Sequence, residues 1–166
     1  MEIKKLFGIE NKVAIVTGGS RGIGEMITSG FLANGVKVYI SARKAPALIE
    51  KAKELSDRYQ QECIPVPSDL STIEGIESFV GSISEKEEGI DFLINNAGAA
   101  WGEPFETFSE QGWDKVMDLN VKSMFFLTQK LKSHLLKRCT LDDPSRVINI
   151  GSIDGLNVPA LETFSY

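Results

Sequence analysis

The sequence predicts an α/β fold, a doubly wound parallel sheet with helices on both faces. Two observations carry that expectation. Five short apolar, β-branched runs alternate with segments of helical period, and four glycines crowd the junction between the first run and the first helix. Strands joined through helices close by right-handed crossovers, which makes the sheet parallel and covers both of its faces.

Residues 12–17 (KVAIVT) read as a strand buried on both sides, closed by Gly18 and Gly19. From 22 to 34 the apolar positions Ile23, Met26, Ile27, Phe31 and Leu32 recur at helical spacing, with Asn34-Gly35 as the stop. A second strand is expected at 36–41, then a charged amphipathic helix at 46–61 with Pro46 in its first turn, and a third strand at 63–66. Ser71 and Glu74 have the spacing of a capping box opening a helix that runs to about 88. A fourth strand at 90–95, one long helix at 111–138 and a fifth strand at 146–150 complete the pattern. There is no internal repeat, low-complexity tract or linker.

Length and composition are those of one globular domain over residues 1–166, with 42% hydrophobic and 25% charged residues. Eighteen basic against 23 acidic residues leave a net charge of -5, which offers no general attraction to nucleic acid or anionic membranes. Cys63, Cys139 and the lone His134 lack metal-ligand spacing, so no metal is expected, and the cysteine usage fits a reducing compartment. No stretch reaches the length of a membrane span and the start has no apolar leader, so the expected location is the cytoplasm.

The segment T17-G18-G19-S20-R21-G22-I23-G24 has chemical meaning because it joins a strand to a helix. So tight a turn needs backbone angles that side chains disfavour, and a pyrophosphate approaches only where no Cβ intervenes. Free N–H groups and the helix dipole then favour the anion. The competing reading is a merely structural turn. In a dinucleotide site an acidic residue about 20 positions past the glycines binds the ribose 2′-hydroxyl of NAD. Here Ser41-Ala42-Arg43 stands in that place, so Arg21 and Arg43 form a candidate fork for the 2′-phosphate of NADP(H), unless both are ordinary solvated charges.

The spacing GxxxGxG, followed by N95-N96-A97-G98, resembles the short-chain dehydrogenase/reductase family, and the resemblance covers essentially the whole chain. Further matches are Asp69-Leu70 after the third strand, Asn120 in the long helix, Ser152 after the fifth strand, and Tyr166. Within the family the wording is most similar to 3-oxoacyl-acyl-carrier-protein reductases, including the rhamnolipid-type branch, through NIGSIDGLNVPALETFSY. The resemblance implies a Rossmann-type dinucleotide-binding fold and an NADP(H)-dependent oxidoreductase that interconverts a carbonyl, such as a 3-oxoacyl thioester, and a secondary alcohol. It assigns the cofactor to Gly18, Ser20, Arg21, Gly22, Ile23, Gly24, Arg43, Asp69, Leu70, Asn95, Ala97 and Gly98. Asp69 accepts from the adenine amino group in this scheme; the plainer role is a helix cap, although Ser71 already offers one. Asn95, Ala97 and Gly98 alternatively form an ordinary strand-end turn.

The resemblance makes Tyr166 the acid that protonates the developing alkoxide, gives Ser152 the hydrogen bond to the substrate carbonyl, and lets Asn120 support a proton-relay water. Taken singly, Ser152 is also a reasonable turn residue and Asn120 a buried helix polar group. Tyr166 lies 14 positions after Ser152, one more than the family's spacing, so a bulge is expected between them. The sequence closes on Tyr166, without the lysine the family places four residues later, so the expected fold is C-terminally truncated. The fifth strand is then a sheet edge open to pairing or aggregation. A catalytically silent nucleotide-binding or interaction fragment is the alternative function.

Trp101 and Phe105 either line a substrate entrance or pack a loop, and His134 reads as a solvated helix residue. The helix between Val116 and Leu136 has apolar residues on more than one face, among them Leu119, Phe125, Phe126 and Leu131. The resemblance implies a homo-oligomer built on this helix, with intramolecular packing as the alternative.

Overall fold

A computed structural model describes residues 7–156. Five strands, β1 Val13–Thr17, β2 Lys37–Ala42, β3 Cys63–Pro67, β4 Phe92–Asn95 and β5 Arg146–Asn149, form one sheet in the order β3-β2-β1-β4-β5. Every neighbouring pair is parallel, as the crossover argument requires. The helices are α1 Gly22–Ala33, α2 Ala45–Tyr59, α3 Ile73–Ser84, α4 Glu110–Met117 and α5 Ser123–Lys137.

Strand alternation divides the core into two halves. Val13 and Ile15 of β1, Tyr39 of β2 and Leu93 of β4 pack with α3 and α5 through Phe79, Ile83, Leu127 and Leu131. Ala14, Val16, Val38, Ile40, Phe92 and Ile94 point to the opposite face and pack with Leu32 of α1 and Leu48, Ala52 and Leu55 of α2. All five residues of β1 are buried, which is why a continuous apolar run rather than a polar alternation marks it in the sequence.

Three expectations change. The cap of α3 is Thr72, whose Oγ1 accepts the Gly75 N–H at 3.0 Å, and the helix ends at Ser84. Ser71 instead spends its hydroxyl and its N–H on the Asp69 carboxylate, at 2.7 and 3.1 Å. The long helix is interrupted between α4 and α5 by a π-turn, Asp118–Lys122, which contains Asn120. An extra residue in a helical turn re-aims side chains and recurs at functional sites, a feature with no local sequence signal. β5 is an edge among the described residues, with Val147 and Ile148 at 42% and 45% exposure.

Candidate functional site

The site forms at the carboxyl ends of β1, β2 and β4, where the strand order reverses on either side of β1. β1 ends on the buried Thr17, and Gly18 then takes a left-handed turn at φ 64°. Four residues on, the chain enters α1 so close to this turn that a Cβ on Gly24 would stand 2.2 Å from the Gly18 carbonyl oxygen. Thr28 Oγ1 secures the junction from inside α1 with hydrogen bonds to the carbonyls of Gly24 at 2.8 Å and Gly19 at 3.2 Å. Bare backbone at the start of a 12-residue helix is the consequence.

The other wall is the turn after β4. Asn96 Nδ2 donates to the Thr17 carbonyl at 2.9 Å, and Thr17 Oγ1 accepts the N–H groups of Asn96 and Ala97, each at 2.9 Å. Asn95 faces the other way: it is buried, and its amide donates to Asn149 Oδ1 at 2.8 Å and Thr128 Oγ1 at 3.3 Å. Asn96, not Asn95, is thus the side chain of the pair on the cleft.

Between these walls lies a cavity of about 1070 Å³. Gly18, Ser20, Arg21, Ile23, Gly24, Arg43, Asp69, Leu70, Ala97 and Gly98 line it; of the twelve residues expected on the cofactor, Gly22 and Asn95 do not. Gly22 instead supplies a left-handed backbone at φ 55° where α1 begins. Lys44, Ser68, Asn96 and Leu119 also line the cavity and were not among the residues expected on the cofactor. Lys44 had a readable signal, standing beside Arg43 at the end of β2. Ser68 had none, because its placement depends on the pairing of its N–H with the Ala42 carbonyl at 3.1 Å across two strands.

Ser68 Oγ is buried and makes no hydrogen bond among the described residues. A buried hydroxyl left without a partner carries a desolvation cost that a ligand group can offset. Beside it the Asp69 carboxylate is oriented by Ser71, the tight Asx arrangement that replaces the capping role expected of either residue. The cavity wall also carries Glu50, Glu54 and Lys51 of α2, and Lys51 is held by Glu25 of α1 at 3.2 Å and Glu54 at 2.6 Å. Those carboxylates favour the charged ammonium and raise the Lys51 pKa, while Lys51 and Arg58 hold Glu54 below its ordinary value.

Asn120 is placed by the π-turn against the segment leaving β4. Its Oδ1 accepts the Ala99 N–H at 2.8 Å and its Nδ2 donates to the Ala99 carbonyl at 3.0 Å. Ser152 follows β5 at the same end of the sheet, exposed, with its carbonyl accepting the Gly155 N–H at 3.1 Å. Neither residue lines the large cavity. Tyr166 and the bulge expected before it lie outside the described residues.

Trp101 packs a loop: a Cβ on Gly112 of α4 would meet its ring at 2.4 Å, and the Lys115 ammonium sits 4.4 Å from the ring centre. The Ser109 N–H donates to Glu103 at 2.7 Å and holds that carboxyl below its ordinary range. Phe105 is exposed and lines a separate groove of about 340 Å³ with Phe108 and Trp113. His134 is half-buried, and its carbonyl accepts the Ile90 N–H at 3.1 Å. Phe125 of α5 stays exposed. Among the described residues no group of metal donors gathers, and no helix is long and apolar enough to cross a membrane.

Residues 12–166 match the family model for short chain dehydrogenase. The chain is 40% identical over 160 residues to the rhamnolipids biosynthesis 3-oxoacyl-[acyl-carrier-protein] reductase of Pseudomonas aeruginosa, covering 96% of this chain and 62% of that protein. It is 32% identical over 163 residues to the 2-dehydro-3-deoxy-D-gluconate 5-dehydrogenase of Escherichia coli, covering 95% of this chain and 62% of that protein. Against solved structures it superposes on the Pseudomonas aeruginosa RhlG/NADP active-site complex with a TM-score of 0.91 at 39% identity, covering 100% of this chain and 63% of that one. It superposes on L-sorbose reductase from Gluconobacter frateurii, complexed with NADPH and L-sorbose, with a TM-score of 0.86 at 29% identity, covering 93% and 57%. The chain thus spans less than two thirds of the length of these relatives.

Proposed function

The chain belongs to the short-chain dehydrogenase family, and from that premise we propose that it holds NADP(H) in the cavity beside β1 and serves an oxidoreductase reaction between a carbonyl and a secondary alcohol. The observation that carries this reading is the cavity itself, with bare glycine backbone on one wall and Arg21, Arg43 and Lys44 on its rim. The residues present fit a dinucleotide. The Gly18–Gly24 approach leaves room for a pyrophosphate against the start of α1, and the oriented Asp69 carboxylate and unpartnered Ser68 hydroxyl offer hydrogen bonds to an adenosine. Within residues 41–44 there is no carboxylate to bind a ribose 2′-hydroxyl or repel a 2′-phosphate. The two solved structures above are complexes with NADP and with NADPH.

When bound, the nicotinamide donates or accepts a hydride. The chain's own part is to place the carbonyl and to manage one proton. In this reading Ser152 donates a hydrogen bond to the substrate oxygen, and Tyr166 donates the proton that turns the developing alkoxide into an alcohol. An unassisted phenol, with its pKa of about 10, exchanges that proton poorly at neutrality, so Tyr166 needs a nearby cation. Asn120, fixed to Ala99 through both its amide groups, keeps the π-turn in register and supports a relay water. A 3-oxoacyl thioester is the proposed substrate class, supported by the relative at 40% identity. Partners beyond cofactor and substrate, including a second copy through α4 and α5, belong to the same proposal.

The test is to titrate the protein with NADPH and NADH and then to follow NADPH oxidation with a 3-oxoacyl thioester. Tighter binding of NADPH and thioester-dependent oxidation, lost in Ser152→Ala, are expected. Binding without turnover would instead favour a silent nucleotide-binding module, and equal binding of the two cofactors would overturn the assignment of NADP(H).

A further inference from the structure

We propose that Arg138, set between the buried carboxylates of Glu87 and Asp91, is an ionic latch that straps β5 to the amino edge of the sheet, and that protonation of those carboxylates releases the strap. The latch lies at the end of the sheet opposite the cavity, and the inference does not rest on the NADP(H) reading.

Apolar packing holds β5 weakly. Among the described residues it pairs only with β4, and all four of its residues are exposed. An element with few buried apolar contacts opens at a lower cost than the core. Polar groups tie its amino end instead. The Arg146 N–H donates to the Asp91 carbonyl at 2.8 Å, and the Ser145 hydroxyl reaches the carbonyls of Leu135 at 2.6 Å and Ile90 at 3.1 Å. Lys12 donates to the Asp143 carboxylate in the connection before β5.

Arg138 ends α5 and reaches this edge across bare backbone, for a Cβ on Gly89 would stand 2.6 Å from its Cγ. Its guanidinium lies 3.2 Å from Asp91 Oδ2 and 3.9 Å from Glu87 Oε2. Glu87 also accepts from the Tyr39 hydroxyl at 2.8 Å and from Lys37 at 3.2 Å. Asp91 accepts the Val13 N–H at 2.8 Å and faces Lys12 at 3.7 Å. One cation thus joins the connection after α3, the start of β4 and the connection into β5. Both carboxylates are only 7% exposed, so removing their charge leaves the guanidinium poorly compensated.

Four acids, Glu62, Glu87, Asp91 and Asp143, face four cations, Lys12, Lys37, Arg138 and Arg146. Acid upsets that balance by neutralising one side only. Lys12, and then Arg146, hold the Asp143 carboxyl below its ordinary value; its stabilising contribution is complete above the ordinary carboxylate range and is lost as pH falls through the folded value. On β2, burial opposes the Lys37 charge, but Glu87 and Glu62 outweigh it and raise the pKa, while burial and Glu87 raise the Tyr39 phenol. Both therefore keep their protons throughout the acid range. Glu85, Lys86 and Glu88 beside Glu87 are exposed, and the ring of His134, one turn before Arg138, lies 3.4 Å from the Ser133 hydroxyl. β5 ends at Asn149, three residues before Ser152, so release of the strap frees the segment that carries this serine.

The experiment follows hydrogen exchange, corrected for intrinsic rates, at the amides of β5 and, as an internal reference, at residues 14–16 of β1. Arg138→Met keeps the stem and removes the charge; at neutral pH β5 protection is expected to fall about tenfold with β1 unchanged. Arg138→Lys, a single point charge between two carboxylates, should recover part of the loss. Gly89→Ala keeps every charge but displaces the stem, so it should reproduce the loss even where Arg138→Met fails to fold. In the wild type and in His134→Gln, β5 should lose protection ahead of β1 as pH falls from about 6 to about 4, and Arg138→Met should lack this response. Loss of β5 and β1 protection in step, in Arg138→Met or in Gly89→Ala, would mean general stabilisation and overturns the latch. An acid response that survives in Arg138→Met, or disappears in His134→Gln, overturns its operation by the two carboxylates.

Discussion

Thr17 and Asn96 clasp each other across the ends of β1 and β4: the Asn96 amide donates to the Thr17 carbonyl at 2.9 Å, and the Thr17 hydroxyl accepts the Asn96 backbone N–H at the same distance. The hydroxyl also accepts the Ala97 N–H and donates to the Ile94 carbonyl at 3.3 Å. One threonine therefore fixes the glycine turn and the opposite cleft wall relative to each other. Reciprocal bonds of this kind, fully satisfied, rigidify the junction between the two strand ends.

Thr17→Val keeps the shape and removes the acceptor of two backbone donors. Stability should fall by about 1 to 3 kcal/mol, with weaker NADPH binding, whereas Thr17→Ser should retain most of both. Urea unfolding of the three proteins checks this, and a valine variant as stable as the wild type would remove the clasp from the account.

Gly24 and Gly30 lie on the same helix with opposite surroundings. Gly24→Ala places a Cβ 2.2 Å from the Gly18 oxygen, so α1 must shift from the turn; a loss of about 1 to 3 kcal/mol and of dinucleotide binding is expected. Around Gly30 a Cβ meets nothing within 4 Å, so Gly30→Ala should stabilise the protein by up to about 1 kcal/mol. Thermal and urea unfolding of both variants gives the comparison, and a neutral Gly24→Ala would show that close approach is unimportant here.

Asn95→Ala should act on the sheet rather than on the ligand. It frees Asn149 and Thr128 from their shared amide partner and should cost about 1 to 3 kcal/mol of stability, with adenosine 2′,5′-bisphosphate binding unchanged. Calorimetry on the folded variant decides the matter; a specific loss of ligand affinity at full stability would return Asn95 to the cofactor.

The two cysteines should behave oppositely towards iodoacetamide. Cys139 is exposed and should be alkylated in the native protein, while Cys63 is buried, with burial pushing its thiol pKa from 9.0 up to about 12, and should react only on unfolding. Because the folded value is raised, the stabilising difference is complete below the ordinary thiol pKa. It is lost as pH rises from about 9 to about 12, through the folded value. Urea midpoints measured at rising pH should therefore fall less steeply in Cys63→Ala than in the wild type. Mass spectrometry reads the alkylation, and two native adducts would contradict the burial of Cys63.

The strand and helix order, the parallel sheet and the glycine-bearing end of β1 are legible in the amino-acid sequence. Each of these is written in local period or in backbone requirements: β1 is almost wholly apolar because both its faces are covered, and Gly18 and Gly24 stand where a side chain is disfavoured. Ten of the twelve residues expected on the cofactor line the cavity for the same reason, since they sit at turns that strand order carries to one sheet edge. The remaining features depend on contacts between elements distant in the chain, and the fold sets them. It placed Asn96 on the cleft and Asn95 behind it, because adjacent strand-end residues point to opposite sides and the register with Asn149 chooses between them. It gave the α3 cap to Thr72 once Ser71 was engaged by Asp69, and it broke the long helix at Asn120, where bonds to Ala99, 21 residues earlier, accompany the π-turn. It also left Arg21, Arg43 and Lys44 without an ion pair among the described residues while tying Lys51 to two carboxylates. Partner choice of that kind depends on distances between elements, and a linear charge pattern does not contain those distances.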